Sequence, residues 1–472
     1  MTTQIPESLI KVANHFITAG YSLYLVGGCV RNMLLDLPVK DWDLTTNATP
    51  EQMLVLFPDS FYDNSFGTVG IPVDKDTDAQ MVIEVTTFRT EQGYSDKRHP
   101  DAVSWGKNIE EDLARRDFTI NAMALRLSAN WRIAQGKPLE PKTENRKLKT
   151  EVIDPFDGQK DLEKKLIMAV GDPQERFKED ALRLMRAIRF ATQLSFSIEK
   201  STLNAITQDA PLLAHIAGER VRDELIKILA SDYPYEGIIL LKNTGLLQNI
   251  LPELLEGIGI SQKRPGRHHT TDVFEHNVFS LKFCPSADPL VRFATLIHDV
   301  GKPRVASKDS EGYIIFHNHE IVGAKMASVI AERFRFSKKD REKIYKLIRW
   351  HMFTVDEHIT DSAIRRFIRH IGVENVKDMM DLRIGDRLGG GTQTAESWRL
   401  KLFKKRVEEQ LAPAPFSIND LAIDGNDIMK ELNMKPGRRI GDLLQKLFEE
   451  VDEDLSKNTK EYLTKRVHDL SQ

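Results

Sequence analysis

The deciding stretch is Tyr24-Leu-Val-Gly27-Gly28-Cys-Val-Arg31-Asn-Met-Leu-Leu-Asp-Leu-Pro38-Val-Lys-Asp41-Trp-Asp43-Leu-Thr-Thr46. Its apolar, β-prone start predicts a strand over residues 24–26. Gly27 and Gly28 then predict a tight turn, because glycine accepts positive φ and lets another group approach the backbone closely. Apolar residues at helical spacing predict a short helix over residues 30–35, which Pro38 ends. The stretch therefore reads as strand, glycine turn, short helix and second strand.

Asp41 and Asp43 lie two residues apart in what reads as the second strand, so we expect both carboxylates to point to one face. Two acids on one face repel each other unless a cation lies between them. Mg²⁺ suits this pair because it prefers oxygen ligands and keeps substrate phosphates as partners, and a glycine turn at a helix N-terminus can hold those phosphates. Two solvated aspartates are the alternative. The Gly-Gly-x-x-Arg pattern, 13 residues upstream from Gly28 to Asp41, favours the phosphate site.

The bulk composition describes a soluble, multidomain protein and excludes several function classes. The chain has 472 residues, 41% hydrophobic and 29% charged, which is enough for three or more domains with sizeable cores. Its net charge is only −3, so nucleic-acid binding must come from local basic patches. Two distant cysteines form no metal or disulfide framework. The absence of an apolar leader or a membrane-length run favours a cytoplasmic protein without a membrane partner.

Three further segments extend the first domain. Residues 81–89 form a continuous β-rich run, as expected of a central strand. Glu84 within that run is either a third carboxylate beside Asp41 and Asp43 or a charge at a strand edge, and both interpretations stay open. Residues 90–107 are polar and charged, and they read as a loop. Residues 135–150 read as a second polar loop.

Adjacent arginines framed by acids follow at residues 112–124. Asp112, Arg115, Arg116, Asp117 and Asn121 stand near the start of an apolar segment. Arginine forks match phosphate oxygens bidentately, and Asp or Asn can hold a sugar hydroxyl, so the pattern suits a polyphosphate and ribose clamp. An internal ion-pair network is the alternative.

A helix-rich region contains Glu179-Asp180-Ala-Leu-Arg183-Leu-Met-Arg186. Within one helix, Arg183 would be the i,i+4 neighbour of Glu179 and the i,i+3 neighbour of Asp180. An Asp–Arg pair on one ridge offers acceptors and donors that can hydrogen-bond the edges of cytosine and adenine. A surface salt bridge, which contributes only a few tenths of a kcal/mol, is the alternative.

The order of these motifs resembles the class II tRNA nucleotidyltransferases, which comprise the CCA-adding enzymes and their bacterial poly(A) polymerase relatives. Gly-Gly-x-x-Arg with Asp-x-Asp resembles their motif A, D-x-x-RRDFTINA resembles their motif B, and EDxxR resembles the motif that selects the nucleotide without a nucleic-acid template. Residues 90–107 resemble the flexible loop that these enzymes use to switch from cytidine to adenosine addition.

The second half of the chain contains candidate metal ligands at domain-scale separations. They are His276, the doublet His298-Asp299, His319, His351 and Asp386. One histidine on a helix is usually structural, but an adjacent His-Asp with several more histidines suggests ligands for one or two metal ions. The pattern resembles the two-metal form of the HD phosphohydrolase superfamily, which implies a divalent or transition metal that activates a water. A vestigial HD-like fold without turnover is the alternative.

The resemblance covers nearly the whole chain and implies an α+β protein in four parts. These are a polymerase beta-like nucleotidyltransferase head with a mixed sheet at 1–148, a helical neck that selects nucleotides and binds RNA at 149–260, an HD domain at 261–392 and a helical tail at 393–472. Residues 387–415, rich in glycine and proline at their ends, read as a hinge. Residues 263–269 form a basic stretch, and the basic segments 404–406 and 435–439 are either tRNA phosphate contacts or solvated charged faces.

The function that the resemblance implies is addition of the 3′-terminal CCA to tRNA from CTP and ATP, with release of pyrophosphate. Asp41 and Asp43 are the expected catalytic ligands of Mg²⁺. The expected nucleotide-binding residues are Gly27, Gly28, Arg31, Asp112, Arg115, Arg116, Asp117, Asn121, Asp180, Arg183 and Arg186. Addition of CC alone, poly(A) synthesis, an HD phosphodiesterase as the main activity and a non-enzymatic tRNA chaperone are the alternatives.

Overall fold

The chain divides into two compact units, Met1–Pro252 and Glu253–Gln472. The computed structural model describes residues 5–62, 67–73, 81–92, 102–106, 108–127, 152–263, 271–353, 355–356, 358–411 and 417–471. The predicted loop at 135–150, the middle of the segment 90–107 and the basic residues 264–269 lie outside these ranges. The division into four domains stays a prediction.

The first unit is built on a seven-stranded mixed sheet with the order β3-β4-β5-β2-β1-β8-β9. Its strands are β1 Leu23–Val26, β2 Leu44–Thr46, β3 Phe61–Tyr62, β4 Thr68–Val73, β5 Met81–Thr87, β8 Ala124–Arg126 and β9 Val152–Ile153. The pair β2–β5 is parallel and the other neighbours are antiparallel. Because β5 has a partner on each side, the predicted central strand is confirmed.

Helices surround this sheet and continue as a helical layer after it. They span Glu7–Thr18, Gly28–Leu34, Pro50–Leu56, Ile109–Ala114, Gly158–Glu163, Pro173–Glu179, Leu182–Leu194, Lys200–Asp209, Gly218–Leu229, Pro234–Asn243 and Leu246–Ile250. A further helix, Pro252–Leu255, crosses the boundary between the two units. The first helix buries Leu9, Val12, Ala13 and Phe16, the apolar positions at helical spacing. Short parallel strands at Leu166–Ile167 and Ser197–Ile198 tie two parts of the helical layer together.

The second unit is helical apart from a small antiparallel ladder between Ser307–Lys308 and Ile314–Ile315. Its helices span Val273–Phe283, Pro289–Leu296, Lys302–Val305, His319–Arg333, Lys338–Arg349, Asp361–Ile371, Val376–Gly389, Trp398–Leu411, Gly425–Glu431, Arg438–Glu453 and Lys460–Ser471. One apolar core includes Val291, Phe367 and Phe403, and another includes Leu447 and Leu463. In the described ranges, no helix is both long enough and apolar enough to cross a membrane.

Three local predictions were wrong. Asp41 and Asp43 do not lie in a strand, because β2 begins at Leu44. The ends of the predicted loop 90–107 pair as two antiparallel strands, β6 Arg89–Gln92 and β7 Ala102–Trp105. The predicted hinge 387–415 contains the helix Trp398–Leu411, which buries apolar side chains in the core of the second unit. The polar composition of residues 90–107 does not reveal a hairpin, and the core that covers the helix Trp398–Leu411 is formed by other parts of the chain.

Gly301 sets the distance between two elements of the second unit. A Cβ atom on this residue would lie 2.3 Å from the carbonyl oxygen of His319 and 2.5 Å from the backbone nitrogen of Gly323. Neither backbone atom can move away cheaply. The absence of a side chain therefore lets the helix that begins at His319 approach the turn after His298 and Asp299.

We predict that Gly301→Ala lowers the free energy of unfolding of the second unit by about 1–3 kcal/mol, because overpacking shifts the backbone. Gly441→Ala is the matched control. A Cβ there meets nothing within 4 Å inside the helix Arg438–Glu453, so this variant should be neutral or more stable by about 0.5–1 kcal/mol. Urea unfolding of both variants measures the difference. Equal stabilities would contradict this interpretation of Gly301.

Candidate functional sites

The glycine turn brings three motif residues of the first unit together. Gly27 has φ +75° and lies between β1 and the helix Gly28–Leu34. The backbone N–H of Val26 donates to the carbonyl of Asp43 at 3.0 Å. A Cβ on Gly27 would lie 2.7 Å from Nη1 of Arg116 and 3.7 Å from Oδ2 of Asp43. The predicted glycine turn is thus confirmed, and only glycine leaves room there for Arg116.

Asp41 and Asp43 lie in the segment that leads into β2, and both are exposed. Loss of surrounding water raises the pKa of the Asp43 carboxyl, and the charge of Asp41 raises it further, whereas Arg116 and Arg186 act in the opposite direction. The two carboxylates are therefore close enough to repel each other. Paired oxygen donors beside a basic group suit a divalent cation with phosphate ligands.

Glu84 is exposed on β5. Within the described ranges, groups of three or more possible metal ligands occur only in the second unit. Glu84 therefore does not complete such a group with Asp41 and Asp43, which leaves the strand-edge charge as the supported interpretation.

Asp112 holds both arginines of the second motif. Its side chain is fully buried, and Oδ1 accepts from Nε and Nη2 of Arg115 at 3.0 and 2.7 Å, while Oδ2 accepts from Nη2 of Arg116 at 3.3 Å. Burial alone would raise the pKa of the Asp112 carboxyl, but the two guanidinium groups outweigh burial and lower it. The geometry gives Asp112 a holding role, because its oxygens are already occupied beneath the surface.

Asp117 connects the second motif to the helix Leu182–Leu194. Its Oδ1 accepts from the backbone of Phe118 and from Nδ2 of Asn121, and its Oδ2 accepts from Nε of Arg186 at 2.7 Å. Nη1 of Arg31 donates to Oδ1 of Asn121 at 2.7 Å. Burial alone would raise the pKa of Asp117, but the charges of Arg186 and Arg183 lower it to about 2. The helix Gly28–Leu34, the second motif and the helix Leu182–Leu194 therefore share one network.

Positive charge is concentrated around Phe190. The guanidinium carbons of Arg31, Arg186 and Arg189 lie 5.0, 5.4 and 4.2 Å from its ring centroid. Burial and the charges of Arg189 and Arg186 lower the pKa of Arg31 to about 10. Buried Glu224, on the helix Gly218–Leu229, compensates part of this charge through Nε of Arg189 at 3.1 Å. Sequence reasoning missed Glu224, since nothing local links it to this cluster.

The predicted pair of Asp180 and Arg183 on one helix was wrong. The helix Pro173–Glu179 ends before Asp180, whose backbone is extended, and a new helix begins at Leu182. Arg183 instead bonds to Glu179 and to the carbonyls of Arg176 and Arg115, at 3.1 and 3.3 Å for the carbonyls. Asp180 pairs with Arg220, from a separate helix. The break separates the two side chains that the spacing suggested would interact.

Four of the predicted ligands of the second unit, all histidines, lie close to a fifth, Asp299. Its Oδ2 lies 3.2 Å from Nε2 of His276 and 3.3 Å from Nε2 of His298. Its Oδ1 lies 3.3 Å from Nε2 of His319 and 3.6 Å from Nε2 of His351. Asp386 Oδ1 lies 3.2 Å from Nε2 of His276. Two three-ligand groups result, and they share Asp299.

The protonation pattern suits metal binding. The Nδ1 atoms of His298, His319 and His351 each lie 2.7–2.8 Å from the carbonyl three residues earlier. Since Nδ1 then carries the hydrogen, the lone pair of Nε2 is available to a metal. Within the described part of the chain, Oδ1 of Asp299 and Nε2 of His319 are buried without a hydrogen-bond partner. These residues therefore fit a divalent metal pair.

Two cations lie beside these ligands. The ammonium group of Lys302 lies 2.5 Å from Oδ2 of Asp299 and donates to Oε1 of Gln262 at 2.6 Å. Arg383 donates to Oδ2 of Asp386 at 2.8 Å. Burial alone would raise the pKa of the Asp299 carboxyl, but the ammonium group of Lys302 helps to hold it well below its usual range. The sequence offered a signal for Lys302, since it lies three residues after Asp299.

Basic residues of the last part of the chain pair with carboxylates. Lys404 bonds to Glu396, Lys405 lies 3.8 Å from Glu409, and Arg406 bonds to Asp361. These ion pairs are typical of a charged protein surface and favour that alternative over the predicted phosphate contacts of residues 404–406.

Family models match three parts of the chain. The "Poly A polymerase head domain" matches residues 23–168, the "Probable RNA and SrmB- binding site of polymerase A" matches residues 195–257, and the "HD domain" matches residues 278–388. Together they span more than half of the chain.

Similar proteins and structures agree with these matches. The A-adding tRNA nucleotidyltransferase of Deinococcus radiodurans is 37% identical over 74% of this chain and 76% of its own length. The CCA-adding enzyme of Ligilactobacillus salivarius is 31% identical over 95% of each chain. The crystal structure of the Bacillus stearothermophilus CCA-adding enzyme in complex with CTP has a TM-score of 0.71 at 24% identity, covering 99% of this chain and 98% of that chain. The structural likeness shows a shared fold.

We predict that Asp117→Asn lowers the free energy of unfolding of the first unit by about 2 kcal/mol at neutral pH. The folded pKa of about 2 is below the ordinary value of 3.8. The stabilisation is therefore present above about pH 4 and is lost as pH falls towards 2. Urea unfolding should show a constant difference from wild type between pH 5 and 8 and a smaller one below pH 4. Asp223→Asn, at an exposed residue paired with Arg222, is the control. A difference that grows on acidification would refute the prediction.

Proposed function

This chain belongs to the class II tRNA nucleotidyltransferase family, and we propose that it adds the whole 3′-terminal CCA sequence to tRNA, using CTP and ATP, in the cytoplasm. The observation that carries the proposal is the convergence of Gly27, Asp43 and Arg116 beside Asp41. At this point, carboxylates that can bind a cation lie beside a guanidinium group that can bind phosphates. Only glycine fits at position 27, because a side chain there would collide with Arg116. The reaction joins the tRNA 3′-oxygen to the α-phosphate of the nucleotide, and pyrophosphate leaves.

The chain's own residues bind and orient the triphosphate in this proposal. Asp112 orients Arg115 and Arg116 by accepting from their guanidinium groups, and guanidinium groups bind phosphate oxygens strongly. Arg31 is held through Asn121 and adds charge next to the glycine turn. Gly28 begins the helix that follows this turn.

Asp41 and Asp43 would hold Mg²⁺, which fits their oxygen donors and their mutual repulsion. When bound, Mg²⁺ supplies the charge that lowers the pKa of the tRNA 3′-hydroxyl and neutralises the leaving pyrophosphate. Arg186 acts on both sides of the site, because its charge lowers the pKa of Asp43 and of Asp117. Arg186 would therefore position the sugar-binding residues relative to the catalytic carboxylates.

Base selection is proposed for Asp180 and Arg183, although they do not pair with each other. A carboxylate accepts from the amino groups of cytosine and adenine, and a guanidinium donates to their ring acceptors. Both side chains are tied to other elements, so their positions are set before a nucleotide binds. This arrangement can read an incoming base without a nucleic-acid template.

Complete CCA addition is separable from narrower activities by one assay. The relatives include both A-adding and CCA-adding enzymes. Two tRNA substrates are used, one that lacks the whole 3′-terminal CCA and one that already ends in CC. Each is incubated with labelled CTP alone, labelled ATP alone or both. Two C residues followed by one A support the proposal. Addition of A to tRNA that already ends in CC, without any C addition, would assign A addition instead. Addition of two C residues without A would assign CC addition, and a long A tract would assign poly(A) synthesis.

We predict that Asp41→Ala lowers the rate of CMP and AMP transfer by at least about 10³-fold, because one of two cation-binding carboxylates is lost. Asp59→Ala is the control, since Asp59 is an exposed acid in the same unit. Single-turnover transfer at saturating nucleotide measures the effect. Near-normal transfer by Asp41→Ala would overturn the assignment of this residue.

The position of Asp299 between two ligand groups favours a second activity, metal-dependent phosphohydrolysis. His276, His298 and Asp386 lie on one side of this carboxylate, and His319 and His351 lie on the other. A metal pair bound there would supply an activated water for attack on a phosphoester. Lys302 would orient the shared carboxylate through its contact with Oδ2. Phosphate release that requires metal but no nucleotide would identify this activity.

We predict that the wild-type protein binds up to two divalent ions in the second unit and that Asp299→Ala loses both, because the two groups share this ligand. His319→Ala should lose one ion. His317→Ala is the control, since His317 is exposed and belongs to neither group. Metal content after dialysis against Mn²⁺ or Ni²⁺ and gel filtration measures the stoichiometry. Retention of both ions by Asp299→Ala would show that the carboxylate is not shared.

A further inference from the structure

Asp180 is held by a residue that lies 40 positions further along the chain. Nη2 of Arg220 donates to its Oδ2 at 2.9 Å, and Nη1 of Arg220 donates to its Oδ1 at 3.4 Å. The backbone N–H of Leu182 donates to the same Oδ1 at 3.0 Å. The contact is largely shielded from solvent, since the side chains of Asp180 and Arg220 are 17% and 21% exposed. This is a two-pronged guanidinium–carboxylate pair, the geometry that fixes orientation best.

The position of Asp180 in the backbone explains why it needs this support. It is an extended residue between the helices Pro173–Glu179 and Leu182–Leu194. A residue in such a break gains little orientation from helix packing. Arg220 comes from the helix Gly218–Leu229, on which Glu224 lies one turn later and pairs with Arg189. One face of the helix Gly218–Leu229 therefore holds Asp180, at the break, and also Arg189 of the helix Leu182–Leu194.

Arg183 is held independently of Arg220. Its guanidinium group bonds to Glu179 and to the carbonyls of Arg176 and Arg115. None of these partners belongs to the helix that carries Arg220. Loss of Arg220 should therefore disturb the acceptor of the proposed base-reading pair and leave the donor in place.

We propose that Arg220 is a positioning residue that makes this enzyme select cytosine and adenine over uracil and guanine, an inference that rests on the proposed function. A carboxylate has about four acceptor positions, and Leu182 and the two prongs of Arg220 occupy three of them. About one acceptor is left for the incoming base, in a fixed direction. Cytosine and adenine present an amino donor at the corresponding edge, whereas uracil and guanine present a carbonyl acceptor. An oriented carboxylate accepts from the first pair and repels the second.

The test measures discrimination between nucleotides, which a merely structural role would not change. In Arg220→Met, the ratio of kcat/KM for CTP over UTP, and for ATP over GTP, should fall by about tenfold or more. Arg220→Lys keeps the charge but loses the fork, so an intermediate loss is expected. This second variant also serves if the methionine variant does not fold. Single-nucleotide incorporation into tRNA lacking its 3′ end gives the four rates.

Two variants of the same helix are the controls. Arg222→Met removes a cation that pairs with the neighbouring Asp223, and its nucleotide discrimination should equal that of wild type. Lys227→Met removes another cation of this helix, whose ammonium group lies 3.5 Å from Glu224, and its nucleotide discrimination should also equal that of wild type. If Arg220→Met lowers kcat/KM equally for all four nucleotides and leaves both ratios unchanged, Arg220 is only structural and the inference is overturned.

Equilibrium binding of CTP and UTP separates this inference from the proposed function. If wild type transfers CMP and AMP but Arg220→Met discriminates equally well, the inference alone fails. If wild type transfers neither nucleotide yet prefers CTP to UTP in binding, and Arg220→Met loses that preference, the proposed function fails and the inference holds. Absence of both transfer and preference in wild type overturns both.

Discussion

Buried carboxylates that hold arginines are the constraint on which the first unit depends. Asp112, Asp117 and Glu224 are each less than a tenth exposed, and each pairs with at least one guanidinium group. Removing one partner of such a pair leaves a buried charge without compensation, which is costly. The charges are therefore interdependent. This cost keeps Arg116 at Gly27 and Arg186 beside Asp117, so the fold itself holds the arginine cluster in place.

The second unit uses the opposite arrangement, in which one carboxylate is surrounded by basic groups. Asp299 meets four imidazole nitrogens and the ammonium group of Lys302. The chain can bring so many ligands to one point because Gly301 lets the helix His319–Arg333 approach the turn after Asp299 at backbone distance. The missing side chain of Gly301 therefore allows His319 to lie close to Asp299.

Local sequence patterns predicted the elements and the chemistry better than the contacts. The glycine turn and the central strand follow from propensity and residue type, which act over a few neighbouring positions. The Asp180–Arg183 pair was wrong because helical spacing applies only within one helix, and the chain breaks at Asp180. The hinge predicted at 387–415 was wrong because glycines and prolines stand only at its ends. Between them, the apolar side chains of the helix Trp398–Leu411 are buried in a core formed by distant parts of the chain.

The sequence by itself determined which functional groups this protein has: a glycine turn followed by two aspartates, an arginine pair between acids, and histidines with a His-Asp doublet. These are properties of residue type and short spacing. Only the tertiary structure decided the partners: Arg220 for Asp180, Glu224 for Arg189, and Asp299 as the ligand shared by two groups. The physical reason is that electrostatic and hydrogen-bond contacts depend on distances of a few ångströms in space. Between elements, packing sets those distances, and separation along the chain does not.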